Sequence, residues 1–191
     1  SERISALDRG LQYGDGLFET MAVFQGTPRF WQAHVDRLTA GCEQLGLPMT
    51  PQAVLLREVQ TVSAGQRRCV VKIIVTRGTS GRGYAITTPV RGNRVVCSWP
   101  WPQDPGDLVE TGIRMRMCAL RLGIQPVLAG LKHLNRLEQV MARAEWEDRS
   151  IHEGLLLDAE DYVVSAISSN LFLVSGGRLL TPRLDRCGVR G

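Results

Sequence analysis

Amine chemistry in this chain has two possible carriers: 21 of its 23 basic residues are arginine, and only Lys72 and Lys132 are lysine. Lys132 follows Ala129-Gly130 and precedes a helical pattern, in the run Leu131-Lys132-His133-Leu134-Asn135-Arg136-Leu137-Glu138. The glycine lets backbone and ligand approach closely, and a lysine desolvated at such a junction has a lowered pKa and becomes a nucleophile. The plainer reading of a lysine near a helix start is a solvated surface charge. Lys72 lies inside the apolar run Cys69–Thr76 and reads as a structural lysine, its stem packed and its head snorkelling to an edge. A second segment, Arg77-Gly78-Thr79-Ser80-Gly81-Arg82-Gly83-Tyr84, can wrap an anionic ligand with arginine forks and exposed amides. Taken alone, it reads first as a flexible loop between strands with solvated arginines.

The elements that must position these residues follow from periodicity. Trp31, Val35, Leu38, Cys42 and Leu45 recur at helical spacing and predict a helix over 31–45. Thr50 as N-cap with Pro51 at the first helical position opens a second helix, to about Val62. The β-branched run Cys69–Thr76 predicts a buried strand ending at Gly78, with further strands over Val95–Trp99 and Ile113–Leu120. Leu134, Leu137, Met141 and Ala144 mark a helix running to about Glu147. Strands follow at Gly154–Asp158, Tyr162–Val164, Leu171–Val174 and Arg178–Leu180, the last two joined by a Gly176-Gly177 turn. Pro100, Pro102, Pro105 and Gly106 break both periods and suit an interdomain linker. The expected fold is mixed α/β (α+β) in two domains, a smaller N-terminal one over 1–104 and a C-terminal one from 105 to 191.

With 191 residues, 43% of them apolar, the chain can build real cores, and no apolar run approaches the roughly 18 residues of a membrane span. Five widely spaced cysteines (42, 69, 97, 118, 187) without a Cys-x-x-Cys pair read as small buried hydrophobes of a reducing cytoplasm. His34, His133 and His152 are too dispersed for a zinc signature, so no metal is expected. The arginine excess, at a net charge of +4, suits nucleic acid or small anions. The arginines are dispersed among acids without interleaved aromatics, which ranks nucleic acid far behind.

The segment Asp8-Arg9-Gly10-Leu11-Gln12-Tyr13-Gly14-Asp15-Gly16-Leu17-Phe18-Glu19-Thr20 resembles the N-terminal signature of the class-IV aminotransferase-like enzymes, pyridoxal-phosphate (PLP) proteins of fold type IV. The glycine-arginine loop and the run Leu128–Gln139 resemble, more specifically, the 4-amino-4-deoxychorismate lyase branch of that family. Asp158, Ser169-Asn170-Leu171-Phe172 and Thr181-Pro182-Arg183-Leu184-Asp185 with Gly188-Val189 match in order and spacing, so the resemblance covers essentially the whole chain.

The resemblance implies that Lys132 forms the Schiff base with PLP. It further implies that Arg37, in His34-Val35-Asp36-Arg37-Leu38, holds the phosphate. On the bare helical wheel Arg37 flanks the apolar stripe, which suits a solvated arginine as well. Ser169 and Asn170 fall at cofactor-binding positions, and the backbone N–H groups of Gly188, Val189 and Arg190 are expected to complete the phosphate cup. Relatives continue well beyond this point, so the C-terminal domain reads as incomplete. The implied reaction converts 4-amino-4-deoxychorismate to 4-aminobenzoate and pyruvate, in a homodimer with the cofactor at the domain interface. Arg77, Arg82, Tyr84 and Asn135 are the candidates for orienting the dicarboxylate substrate.

One position departs from the family. Relatives carry a glutamate against the pyridine nitrogen where this sequence has Ser165. A hydroxyl can hydrogen-bond a neutral nitrogen but cannot stabilise its charge. Three readings stay open: a weaker electron sink, a register slip that hands the role to a neighbour, or impaired catalysis. Alternatives to the lyase are an aminotransferase for D-amino or branched-chain amino acids, an arginine-rich nucleic-acid-binding domain, and a non-catalytic fragment.

Overall fold

The computed structural model describes residues 3–102, 106 and 108–191. The expected boundary at 104/105, with Pro105 of the linker, lies outside the described residues. Two compact units form: Ser1–Gln103 with Lys132–Asn135, and Asp104–Leu131 with Arg136–Gly191. The four residues beginning at Lys132 thus belong with the first unit, which the sequence reading did not foresee.

In the first unit, α1 (Arg9–Tyr13) is followed by β1 (Gly16–Phe24), β2 (Thr27–Pro28), α2 (Trp31–Leu45), α3 (Gln52–Val62), β3 (Arg68–Thr76) and β4 (Asn93–Pro100). The antiparallel sheet has the order β2-β1-β3-β4, with Leu17 opposite Val75 and Lys72 opposite both Thr20 and Cys97. Side chains alternate across a strand. Leu17, Glu19, Met21 and Val23 of β1 are buried, as are Val71, Ile73 and Val75 of β3, together with Val35, Leu38 and Cys42 of α2 and Leu55 and Val59 of α3. Each large aliphatic side chain so buried contributes roughly 1.5–3 kcal/mol. The opposite face of the sheet carries Phe18, Thr20, Lys72 and Ile74, none of them fully buried. The α2 stripe is as expected; α3 begins one residue later, with Pro51 rather than Thr50 at the N-cap and no side-chain cap bond.

In the second unit, α4 (Leu108–Thr111), β5 (Met115–Leu122), α5 (Leu137–Arg143), β6 (Glu153–Asp158), β7 (Val163–Ala166), β8 (Leu173–Ser175) and β9 (Arg178–Leu180) follow in order. β5 and β6 are parallel, as a connection through a helix permits, and β7 adds antiparallel to β6. Cys118, Leu122, Ala142, Trp146, Leu156, Val164 and Cys187 form the core. β8 and β9 form the expected hairpin, with Gly176 and Gly177 both at positive φ. The helix expected from Leu134 to Glu147 is confined to Leu137–Arg143.

Candidate active site

Lys132 is fixed by strand pairing. Its carbonyl accepts from the Phe18 N–H at 2.9 Å, Leu134 N–H donates to the Gly16 carbonyl at 3.0 Å, and Leu17 bridges His133. A Cβ on Gly16 would lie 2.3 Å from the Val75 carbonyl oxygen and 2.8 Å from Leu134 Cδ1, so only glycine lets the segment dock there. This docking replaces the helix expected around Lys132. The Lys132 Nζ sits 4.6 Å from the centroid of the Phe18 ring.

Lys72 reaches the same ring, its Nζ 4.4 Å from the centroid. Lys72 is half-buried on the face of β3 opposite Val71 and Ile73, with its ammonium over that ring. The available signal was the alternation in β3, where buried Val71 and Ile73 flank Lys72 and assign it to the opposite face.

Phe18 and its neighbour Glu19 face opposite sides of β1. Glu19, 1% exposed, accepts from Arg37 Nε at 2.6 Å and Nη2 at 2.5 Å, and contacts His34 Nδ1 at 2.7 Å. Burial works to raise the Glu19 pKa, but these hydrogen bonds outweigh it and hold the group below the ordinary glutamate value. The same bonds raise Arg37. Arg37 is thus a cation of fixed direction, half-buried on α2.

The loop after β3 divides the sequence candidates. Arg77 is 6% exposed; its Nε donates to Asp15 Oδ2 at 2.8 Å, and its Nη1 and Nη2 donate to the Gly46 and Leu45 carbonyls at the end of α2. It caps that helix, a structural role in place of the substrate-orienting one expected. Burial works to raise Asp15, and the hydrogen bonds from Arg77 and Arg9 lower it below its ordinary value. Arg82 and Tyr84 remain exposed, with the Tyr84 ring 5.2 Å from that of Tyr13. Asn135 donates to the Gly14 carbonyl at 3.3 Å, tying the lysine segment to the end of α1; this too is a scaffold role where a substrate contact was expected.

In the second unit Ser165 lies in β7, 9% exposed, paired with Leu156 and flanked by buried Val164 and Ala166. The acids at the two ends of β6 are hydrogen-bonded within the unit. Glu153 is held by Gly154 N–H and by both Ser168 and Ser169 hydroxyls, and Asp158 by the N–H groups of Glu160 and Tyr162. Ser169 thereby serves Glu153, and Asn170 donates to the Val189 carbonyl at 2.9 Å, so both side chains are engaged within the unit. The segment from Gly188 runs beside Gly130: Gly130 N–H donates to the Gly188 carbonyl and Arg190 N–H to the Gly130 carbonyl. That bond removes the Arg190 amide from the expected phosphate donors. The amides of Gly188 and Val189 donate to no other described residue. Gly188 has φ +84°, and a Cβ there would lie 2.7 Å from Val164 Cγ1.

In the first unit, a primary amine over an apolar ring fits an aldehyde, and a guanidinium held by a buried carboxylate fits a phosphate. In the second unit, Ser165 stands where the resemblance implies a carboxylate. Among the described residues no group of three or more His, Cys, Asp or Glu could hold a metal, and no helix is long and apolar enough to cross a membrane.

The family model described as amino-transferase class IV matches residues 16–191. Aminodeoxychorismate lyase of Vibrio harveyi is 36% identical over 185 residues, covering 96% of this chain and 68% of that protein. D-alanine aminotransferase of Listeria monocytogenes is 25% identical over 194 residues, covering 96% and 64%. The crystal structure of 4-amino-4-deoxychorismate lyase from Pseudomonas aeruginosa superposes with a TM-score of 0.93 at 48% identity, over 99% of this chain and 70% of that one. The chain thus spans about two thirds of its relatives' length, with the mixed α/β architecture of fold type IV. On the family match and these likenesses together, the chain belongs to the class IV aminotransferase family.

Proposed function

We propose that the chain forms part of a PLP-dependent lyase that converts 4-amino-4-deoxychorismate to 4-aminobenzoate and pyruvate. The observation that carries this reading is the placement of Lys132, its backbone pinned to β1 and its amine against the Phe18 ring that Lys72 also contacts. The likeness to two proteins named as this lyase supports the choice of reaction. Lys132 and Arg37 would hold PLP. When bound, PLP supplies an electron sink next to the carbon that bears the substrate's amine.

Lys132 would serve in two roles, as the amine that holds the cofactor and as general base toward the carbon that bears the substrate's amine. It removes the proton from the ring carbon bearing that amine. The electron pair left behind forms the new ring double bond and expels the neighbouring enolpyruvyl oxygen; the ring becomes aromatic, and the enol takes up a proton to give pyruvate. Lys72, Arg82 and Tyr84 orient the two carboxylates. Aromatisation needs less electron sink than transamination, so the Ser165 hydroxyl suffices for this reaction.

The second reading, an aminotransferase for D-amino or branched-chain amino acids, is supported by the relative of that activity and uses Lys132 to carry the same proton. Pyruvate release from aminodeoxychorismate, measured against keto-acid exchange, separates the two. Exchange without pyruvate release contradicts the lyase.

A further inference from the structure

We infer that Arg9 is a positioning residue that fixes the loop 80–85 for substrate, an inference that rests on the reading of Arg82 and Tyr84 as substrate-orienting groups. Arg9 opens α1 and is 4% exposed. Its Nε donates to Asp15 Oδ2 at 2.8 Å. The rest of the fork is spent on one loop: Nη1 donates to Ser80 Oγ and the Gly83 carbonyl at 3.0 Å and to the Ala85 carbonyl at 3.3 Å, and Nη2 donates to the Tyr84 carbonyl at 3.1 Å.

Three consecutive carbonyls therefore converge on one buried cation. Turning them inward fixes the backbone and with it the direction of the side chains between. Tyr84 is left 82% exposed, its ring against Tyr13, which lies 5.1 Å from the Arg9 guanidinium. The loop has little packing of its own: a Cβ on Gly81 or Gly83 would meet nothing within 4 Å. Without Arg9, ordering six residues would be charged to substrate binding.

A buried guanidinium is costly to desolvate, and this one shares its carboxylate, Asp15, with Arg77. Helix capping is already served by Asp8, whose side chain accepts from the Gly10 and Leu11 amides. What Arg9 adds is the loop. A lysine cannot reproduce its fork, since a compact ammonium with three donors does not reach Asp15 and four loop acceptors together.

The test compares Arg9→Lys, Ser80→Ala and Arg82→Ala in the PLP-loaded protein, with steady-state kinetics on aminodeoxychorismate, melting temperature, borohydride labelling of the cofactor lysine, and trypsin cleavage after Arg82. For Arg9→Lys we expect KM to rise about tenfold with kcat within about twofold, as lost preorganisation requires. Labelling should be unchanged and cleavage after Arg82 faster. Arg82→Ala should raise KM as well. If Arg82→Ala raises KM and Arg9→Lys does not, the positioning role is overturned and the reading of the loop stands. If Arg82→Ala leaves KM unchanged, the reading of the loop falls and this inference with it. Equal losses of melting temperature, kcat and labelling in Arg9→Lys would make Arg9 a fold residue only and overturn the role. Should Arg9→Lys not fold, Ser80→Ala reads the same contact from the loop side, and an unchanged KM there overturns it.

Discussion

Lys72 and Lys132, sixty residues apart in sequence, hold their ammonium groups 4.4 and 4.6 Å from the centroid of one ring, Phe18. The ring offers each a cation–π contact of about 0.5–2 kcal/mol.

Replacing Lys72 with Met should raise KM for the dicarboxylate about tenfold, the loss of one charge-assisted contact, while kcat falls much less. Borohydride labelling of Lys132 should persist. Steady-state kinetics check this, and an unchanged KM would remove Lys72 from the substrate contacts.

Gly16→Ala should loosen the pairing that holds Lys132, because its Cβ meets the Val75 carbonyl oxygen at 2.3 Å, a backbone atom that cannot swing away. A cost of about 1–3 kcal/mol is expected in urea unfolding, with weaker PLP binding. Retention of full stability and cofactor affinity would contradict the docking described for 132–134.

Glu19→Gln addresses the guanidinium of Arg37. Glu19 has a depressed folded-state pKa, so the unfolded chain binds its proton more readily. The stability it contributes is present above its ordinary value of 4.5 and is lost as pH falls below that toward the folded value. The variant should lose stability at neutral pH, about 3 kcal/mol by analogy with broken buried pairs. Its acid limb between pH 5 and 3 should be flatter than that of the parent. Weaker PLP binding should accompany it, and an unchanged acid limb would show that Glu19 does not carry this dependence.

Ser165→Glu restores the family's carboxylate in β7. Keto-acid exchange should rise relative to pyruvate release, since a carboxylate deepens the electron sink. If both activities stay as they were, the argument that Ser165 favours elimination loses its basis.

Strong local periods were legible in the sequence: the α2 stripe and the β3 run fall where their spacing puts them. Residues 132–134 were not, because Leu134 and Leu137 mimic a helical repeat while the partner that makes the segment extended, β1, lies more than a hundred residues earlier. Arg77 was misread for the same reason, its acceptors Leu45 and Gly46 being thirty residues upstream. Arg37 and Ser165 were placed by resemblance; only the structure shows the buried Glu19 that holds Arg37.

The central claim is tested most directly by reducing the PLP-loaded protein with borohydride and locating the label by peptide mass spectrometry. Because both amines lie within 5 Å of the same ring centroid, proximity alone does not choose between them. The account predicts loss of the visible absorption band and a label on Lys132. A label on Lys72, or none on the PLP-supplied protein, would contradict it.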